Sequence, residues 1–123
     1  MTDIKNKRSI LLSIKPFYAT KIIKFIKNIE VRRKIGHRFI PGANVIIYAS
    51  APMSKIIGSA TIDRVVEKKT SELSDPELTS ACLSRKDIAH YTSGVNSCYL
   101  IYLNNVNSRY ENITITDLRI LKI

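Results

Sequence analysis

The sequence predicts an α+β domain in which five to six strands curl into a small β-barrel flanked by two or three short helices. Three observations carry that expectation. Apolar residues make up 45% of the 123 positions, with only 4 Gly and 4 Pro, so the chain can build a core. Apolar, β-branched runs of strand length recur from end to end, separated by turn residues. Helical periodicity is confined to one early stretch and two short ones near the middle. The length fits one domain, expected over residues 9–123 after a polar segment at 1–8.

Residues 9–15 (SILLSIK) form the first strand-length run. Pro16 breaks it and suits the first turn of a helix, where its missing N–H costs nothing. Across residues 17–27, Ala19, Ile22, Ile23 and Ile26 recur at i, i+3, i+4 and i+7, predicting about three helical turns with one apolar face. Lys21 and Lys24 fall on the opposite, wet side.

Residues 29–33 (IEVRR) alternate as a strand, with Ile29 and Val31 on one face and Glu30 and Arg32 on the other. A basic loop follows to Pro41–Gly42, a turn signal. Residues 45–50 (VIIYAS) are a strongly apolar strand ended by Ala51–Pro52. A further strand is expected over 55–66, with Gly58 as a bulge or bend. Ser74 with Glu77 three residues on fits a capping box, and Pro76 fits an early helical position. Residues 87–91 look like one more helical turn before Gly94. Strands return at 97–103, then at 113–115 and in an apolar stretch through Ile120.

Charge is the first functional signal. The chain carries 20 Lys or Arg against 10 Asp or Glu, a formal +10. Residues 1–41 hold 11 of those cations against Asp3 and Glu30 alone. A field that lopsided attracts polyanions, so nucleic acid or a phosphorylated ligand is the expected partner, with a merely solubilising basic surface as the alternative. No apolar run reaches the ~18 residues of a membrane span, and nothing at the start resembles a secretory leader, so no membrane role and a cytoplasmic location are expected. Cys82 and Cys98 lie too far apart for a C-x-x-C motif, and His37 and His90 are isolated, so no metal site and no cofactor are expected.

The runs ILLSIKPFYATKIIKFIKNIEVRRK, PGANVIIYASAPMSKIIGSATIDRV and DIAHYTSGVNSCYLIYL resemble ASCH domains, whose fold is similar to the PUA barrel of RNA-modifying proteins. The resemblance covers most of residues 9–118 and is closest to small microbial regulators of that family. Its most specific part is K-x-x-E-x-R, present as Lys27, Glu30 and Arg32. One departure is Phe25, which stands where a glycine usually precedes the lysine by two. The resemblance implies a PUA-like barrel with a cleft beside the first helix that binds RNA or a nucleotide-like ligand. Some relatives are amidohydrolases acting on acetylated cytidine and others ribonucleases. The amidohydrolases place a threonine where Glu30 stands here, so the nucleophile of that reaction is missing from its expected place.

The motif also has a reading of its own. A carboxylate among cations can orient Lys27 and Arg32, leaving their remaining donors for a phosphate or a base edge. If the protein is an enzyme, a desolvated Lys27 with a lowered pKa and Glu30 are the catalytic candidates. An ion-pair lattice fixing the strand to the helix is the structural alternative. Lys15 and Ser13 share a strand face at the helix start and are expected to edge the cleft. Tyr48 and Ser50 match a stretch that lines it in relatives. Arg33, Lys34 and Arg38 read as non-specific phosphate contacts, and Tyr91, Tyr99 and Tyr102 as stacking candidates. The sequence therefore predicts an RNA- or nucleotide-binding domain with a regulatory role and a protein partner as a further expectation. The rival is a hydrolase of nucleic acid or modified nucleosides.

Overall fold

In the computed structural model, which describes residues 9–108, the elements run β1 (Ile10–Ile14), α1 (Pro16–Ile23), β2 (Ile29–Arg32), β3 (Asn44–Ala49) and β4 (Lys55–Lys69). A 3-10 turn (Thr70–Glu72), α2 (Asp75–Ala81), α3 (Arg85–Tyr91) and β5 (Ser97–Asn107) follow. The expected strands at 113–115 and through Ile120, and the polar segment 1–8, lie outside the described residues.

All five strands belong to one sheet in the order β1-β3-β4-β5-β2. Only β1 and β3 pair in parallel, and the long connection between them, through α1 and β2, supplies the crossover that a parallel pair needs. The 15-residue β4 is the spine. Its first half pairs with β3 and its second with β5, and register shifts at Ile47/Tyr48, Ser59/Thr61 and Ile62/Arg64 bend it. Bulges of this kind increase local twist, so the sheet curls into a half-barrel that brings its edges β1 and β2 toward each other. A side chain bridges the seam. Arg32 Nη2 of β2 donates to the Ser13 carbonyl of β1 at 2.9 Å.

Two apolar cores result. The larger lies under α1, with Ile10, Leu12, Ala19, Ile22, Val45, Ile47 and Ile62 buried. The smaller joins β2 and β5 to α2 and α3 through Ile29, Val31, Leu73, Leu78, Ile88 and Leu100. At Gly58 the Ile23 side chain of α1 comes close to the sheet: a Cβ there would lie 2.3 Å from Ile23 Cδ1 and 2.6 Å from the Asn107 carbonyl oxygen. It adjoins the irregularity in β3–β4 pairing, as expected, and the close approach explains the glycine.

The largest departure from sequence expectation is the end of α1. The helix stops at Ile23 instead of running to Lys27, and Ile26, expected on the core face, is 54% exposed. The Ile26 N–H donates to the Lys21 carbonyl and the Phe25 N–H to the Ile22 carbonyl, with Phe25 at φ 62°. That is a Schellman termination, which needs a left-handed residue at the position where helices favour glycine. Phe25 therefore makes the turn a glycine would make, at a steric cost. The capping box Ser74–Glu77 is present, and a second one, Ser84–Asp87, starts α3 two residues before the sequence suggested.

Candidate ligand-binding cleft

The chain reverses after α1 and delivers Lys27 to the inside of the molecule, where only 2% of it is exposed. Its ammonium is met on three sides. Nζ donates to the Ala81 carbonyl at 2.6 Å, stands 3.5 Å from Glu30 Oε1, and lies 5.3 Å from the centroid of the Tyr18 ring. Ala81 ends α2, where unpaired carbonyls and the helix dipole favour a cation. The neighbouring Asn28 N–H bonds Ser80 O, so the turn after α1 is tied to α2 at two points. Burial lowers the Lys27 pKa from its ordinary 10.5, against an opposing pull from Glu30.

β2 alternation does the rest. Ile29 and Val31 enter the smaller core, while Glu30 and Arg32 face the cavity side, Glu30 itself buried. Arg32 Nε lies 3.1 Å from Glu30 Oε2, close enough for charge attraction, but its N–H does not point at that oxygen and makes no hydrogen bond. With Nη2 engaged by Ser13 O, the guanidinium is held in position with donors to spare.

These residues line a cavity of about 370 Å³ between the sheet edges, α1 and α3. That volume falls in the range of small-molecule sites, roughly 300–1,000 Å³. Of the sequence candidates, the cavity gathers Ser13, Lys15, Lys27, Glu30 and Arg32, with Tyr91 from the aromatic set. Arg33 is exposed and reaches away, its Nη2 3.3 Å from Ser93 O. Tyr48 and Ser50 lie outside the lining. Tyr48 pairs with Ser13 across β3–β1, and the Ser50 N–H bonds Ile14 O.

The opposite wall comes from α3 and was missed as a unit in the sequence. Asp87, His90 and Tyr91 all line the cavity, while Ile88 and Thr92 are buried behind them. The signal was present: i, i+3, i+4 spacing puts the three on one helix face. Tyr18, on α1, lines the cavity as well. Burial raises the pKa of Tyr18 and of Tyr91, so both phenols stay protonated donors at neutral pH. The Ser84 backbone N–H and hydroxyl hold the Asp87 carboxyl below its ordinary range. Among the described residues no group of three His, Cys, Asp or Glu could hold a metal ion, and no helix is long and apolar enough to cross a membrane. Cys82 and Cys98 are free thiols, Cys98 buried and its pKa raised by that burial.

A curled mixed sheet with a cleft between its two edges, walled by helices, defines a small α+β half-barrel domain of the kind the sequence resembles. No family model matches the chain. It is 28% identical over 105 residues to the "ASCH domain-containing ribonuclease" of Zymomonas mobilis, covering 85% of this chain and 70% of that protein. The crystal structure of the Zymomonas mobilis ASCH protein matches with a TM-score of 0.74 at 25% identity, over 81% of this chain and 69% of that one. A tyrosine-to-phenylalanine variant of the same protein matches with a TM-score of 0.80 at 23% identity, over 91% and 79%. In sequence and in fold the chain is similar to this ASCH-domain protein.

Proposed function

We propose that the cleft binds RNA, or a ligand containing a nucleotide, with the phosphate at Lys15 and Arg32 and the base between Tyr18 and Tyr91. The observation that carries this reading is the convergence of the Lys27–Glu30–Arg32 cluster on a cavity of ligand size. Each part has a physical role. Lys27 and Glu30 are internally paired and fix the wall, Arg32 keeps unspent donors, and the two phenols supply apolar faces with a polar tip. Arg33, Lys34 and Arg38 outside the cleft add sequence-independent attraction. On this reading the domain acts in the cytoplasm as a regulator that recognises RNA, and a protein partner would use surfaces away from the cleft.

The test is a titration with single-stranded and hairpin RNA at several salt concentrations. Affinity is expected to fall with log salt at about 0.7 per phosphate contacted for single strands. Arg32→Ala should weaken binding while the fold persists. Unchanged affinity in that variant, for both RNAs, would sink the assignment.

A second reading is hydrolysis of RNA, favoured by the name of the Zymomonas mobilis relative and by the lowered pKa of Lys27. There Lys27 or Glu30 would take the proton of the attacking hydroxyl. Labelled RNA and acetylated cytidine, incubated with wild type, Lys27→Met and Glu30→Gln, separate binding from turnover. Cleavage abolished by both substitutions would place catalysis first.

A further inference from the structure

The outer face of α1 carries a pair of costs that the fold does not explain. Phe25 sits at φ 62°, where a side chain is strained and glycine would serve, and its ring is 77% exposed. Phe17 is 63% exposed one position after the helix-starting proline. Large aromatics left in water contribute little to the core, and two on one short helix and its terminating turn form a surface feature.

That feature adjoins the cleft. The Phe17 ring meets Tyr18 edge-on at 5.1 Å and 84°, and Tyr18 lines the cavity. Lys21 Nζ lies 4.9 Å from the centroid of the Phe17 ring. Phe17, Lys21 and Lys24 follow i, i+4 and i+7, one face of the helix, about 10 Å from end to end at 1.5 Å per residue. No acidic residue occurs in α1, and its capping residue, Lys15, is itself at the cavity.

We propose that this face is a track for single-stranded RNA leaving the cleft, with unpaired bases stacking on Phe17 and Phe25 and phosphates held by Lys21 and Lys24. The inference rests on the reading of the cleft as a nucleotide site and deepens it: the ligand is a strand of several nucleotides. Charge selects this occupant. A second copy of the chain would bring an equally basic face against it, and an apolar partner would strand the lysines. Two cations flanked by two exposed aromatics suit a strand whose bases have π-faces and whose backbone is anionic.

The test compares uridine 3′-monophosphate with 2′-O-methylated hexauridylate, which lacks the free 2′-hydroxyls needed for self-cleavage. Both are titrated by calorimetry into wild type, Phe17→Ala and Phe25→Gly. Wild type should bind the hexanucleotide more tightly than the monophosphate. Each substitution should weaken the hexanucleotide by roughly 5- to 150-fold, the cost of one lost stack, and leave the monophosphate unchanged. Phe25→Gly should also raise the melting temperature, so affinity and stability move in opposite directions. Unchanged hexanucleotide affinity in both variants, with the monophosphate still bound, overturns the track and leaves the cleft intact. Failure of wild type to bind either probe overturns the cleft reading itself. A wild-type dimer made monomeric by either substitution, with hexanucleotide affinity unaltered, assigns the face to self-association and overturns the proposal.

Discussion

The two walls of the cleft are built on opposite terms. On the sheet side, Lys27 and Glu30 are buried, and Lys27, Glu30 and Arg32 each have an internal partner within 3.5 Å. On the helix side, Asp87, His90 and Tyr91 are exposed on α3, which is anchored from behind by Ile88 and Thr92 and at its start by the Ser84–Asp87 box. The first wall has its charges fixed before any ligand arrives. The second holds Asp87 through its capping bonds to Ser84 and leaves His90 and Tyr91 exposed, where a ligand can move them. Electrostatic preorganisation and shape adaptation are thus divided between two elements, and perturbing each should give a different signature.

The largest effect is expected at Lys27. Lys27→Ala removes one partner of a buried ion pair and should destabilise the fold by roughly 3–5 kcal/mol in urea denaturation. Lys27→Met keeps the volume and leaves Glu30 near Arg32, so its cost should be clearly smaller. Equal costs would mean that the lost ammonium, and not the lost volume, carries the whole destabilisation. The pH dependence gives a second view. Burial lowers the native pKa of Lys27 below the unfolded value of 10.5, so between the two the unfolded chain holds a proton that the native chain has released. Stability contributed by this group therefore rises as pH climbs toward 10.5. The stability of wild type minus that of Lys27→Met should increase over that window, and a flat difference would contradict the burial argument.

Next comes Gly58→Ala. The added methyl meets Ile23 Cδ1 and the Asn107 carbonyl, and the second of these is backbone that cannot swing aside. A loss of about 1–3 kcal/mol is expected. Because α1 carries Tyr18 and is capped by Lys15, its displacement should also weaken ligand binding through the rigid side of the cleft.

Ser84→Ala acts on the adaptable wall. Loss of an N-cap typically costs about 1 kcal/mol. Faster amide exchange confined to α3, with β2 unaffected, would confirm that the walls are mechanically separate. The Asp87 pKa, read by NMR, should move back up toward its ordinary value, because the Ser84 hydroxyl is one of the groups holding it down.

The same division decides what the sequence revealed. K-x-x-E-x-R is local: Lys27, Glu30 and Arg32 span six residues, and strand alternation alone puts the last two together. The strand positions were legible for a similar reason, since period-2 patterning and β-branched runs are short-range signals. Two things were hidden. The contribution of α3 depends on long-range packing of Ile88 against β2 and β5, more than fifty residues from the motif it faces. The early end of α1 was masked because the apolar period continues through Ile26 while the backbone turns at Phe25, a residue that gives no sequence cue for a left-handed cap.

Arg33 offers the smallest effect and the sharpest contrast. It follows Arg32 directly but lies just past the end of β2, where the chain bends away from the strand. Arg32 spans the seam to β1 and stands against Glu30, whereas Arg33 makes one long contact with Ser93 O from an exposed position. Arg33→Ala should change stability by no more than about 0.5 kcal/mol, the usual limit for surface substitutions. If it touches RNA at all, it does so as a phosphate contact, so its loss should lower affinity alike for every sequence and reduce the salt slope by about one contact. Arg32→Ala should instead weaken binding of the monophosphate and loosen the β1–β2 seam together. Identical behaviour of the two variants would show that net charge governs binding and that the cleft does not.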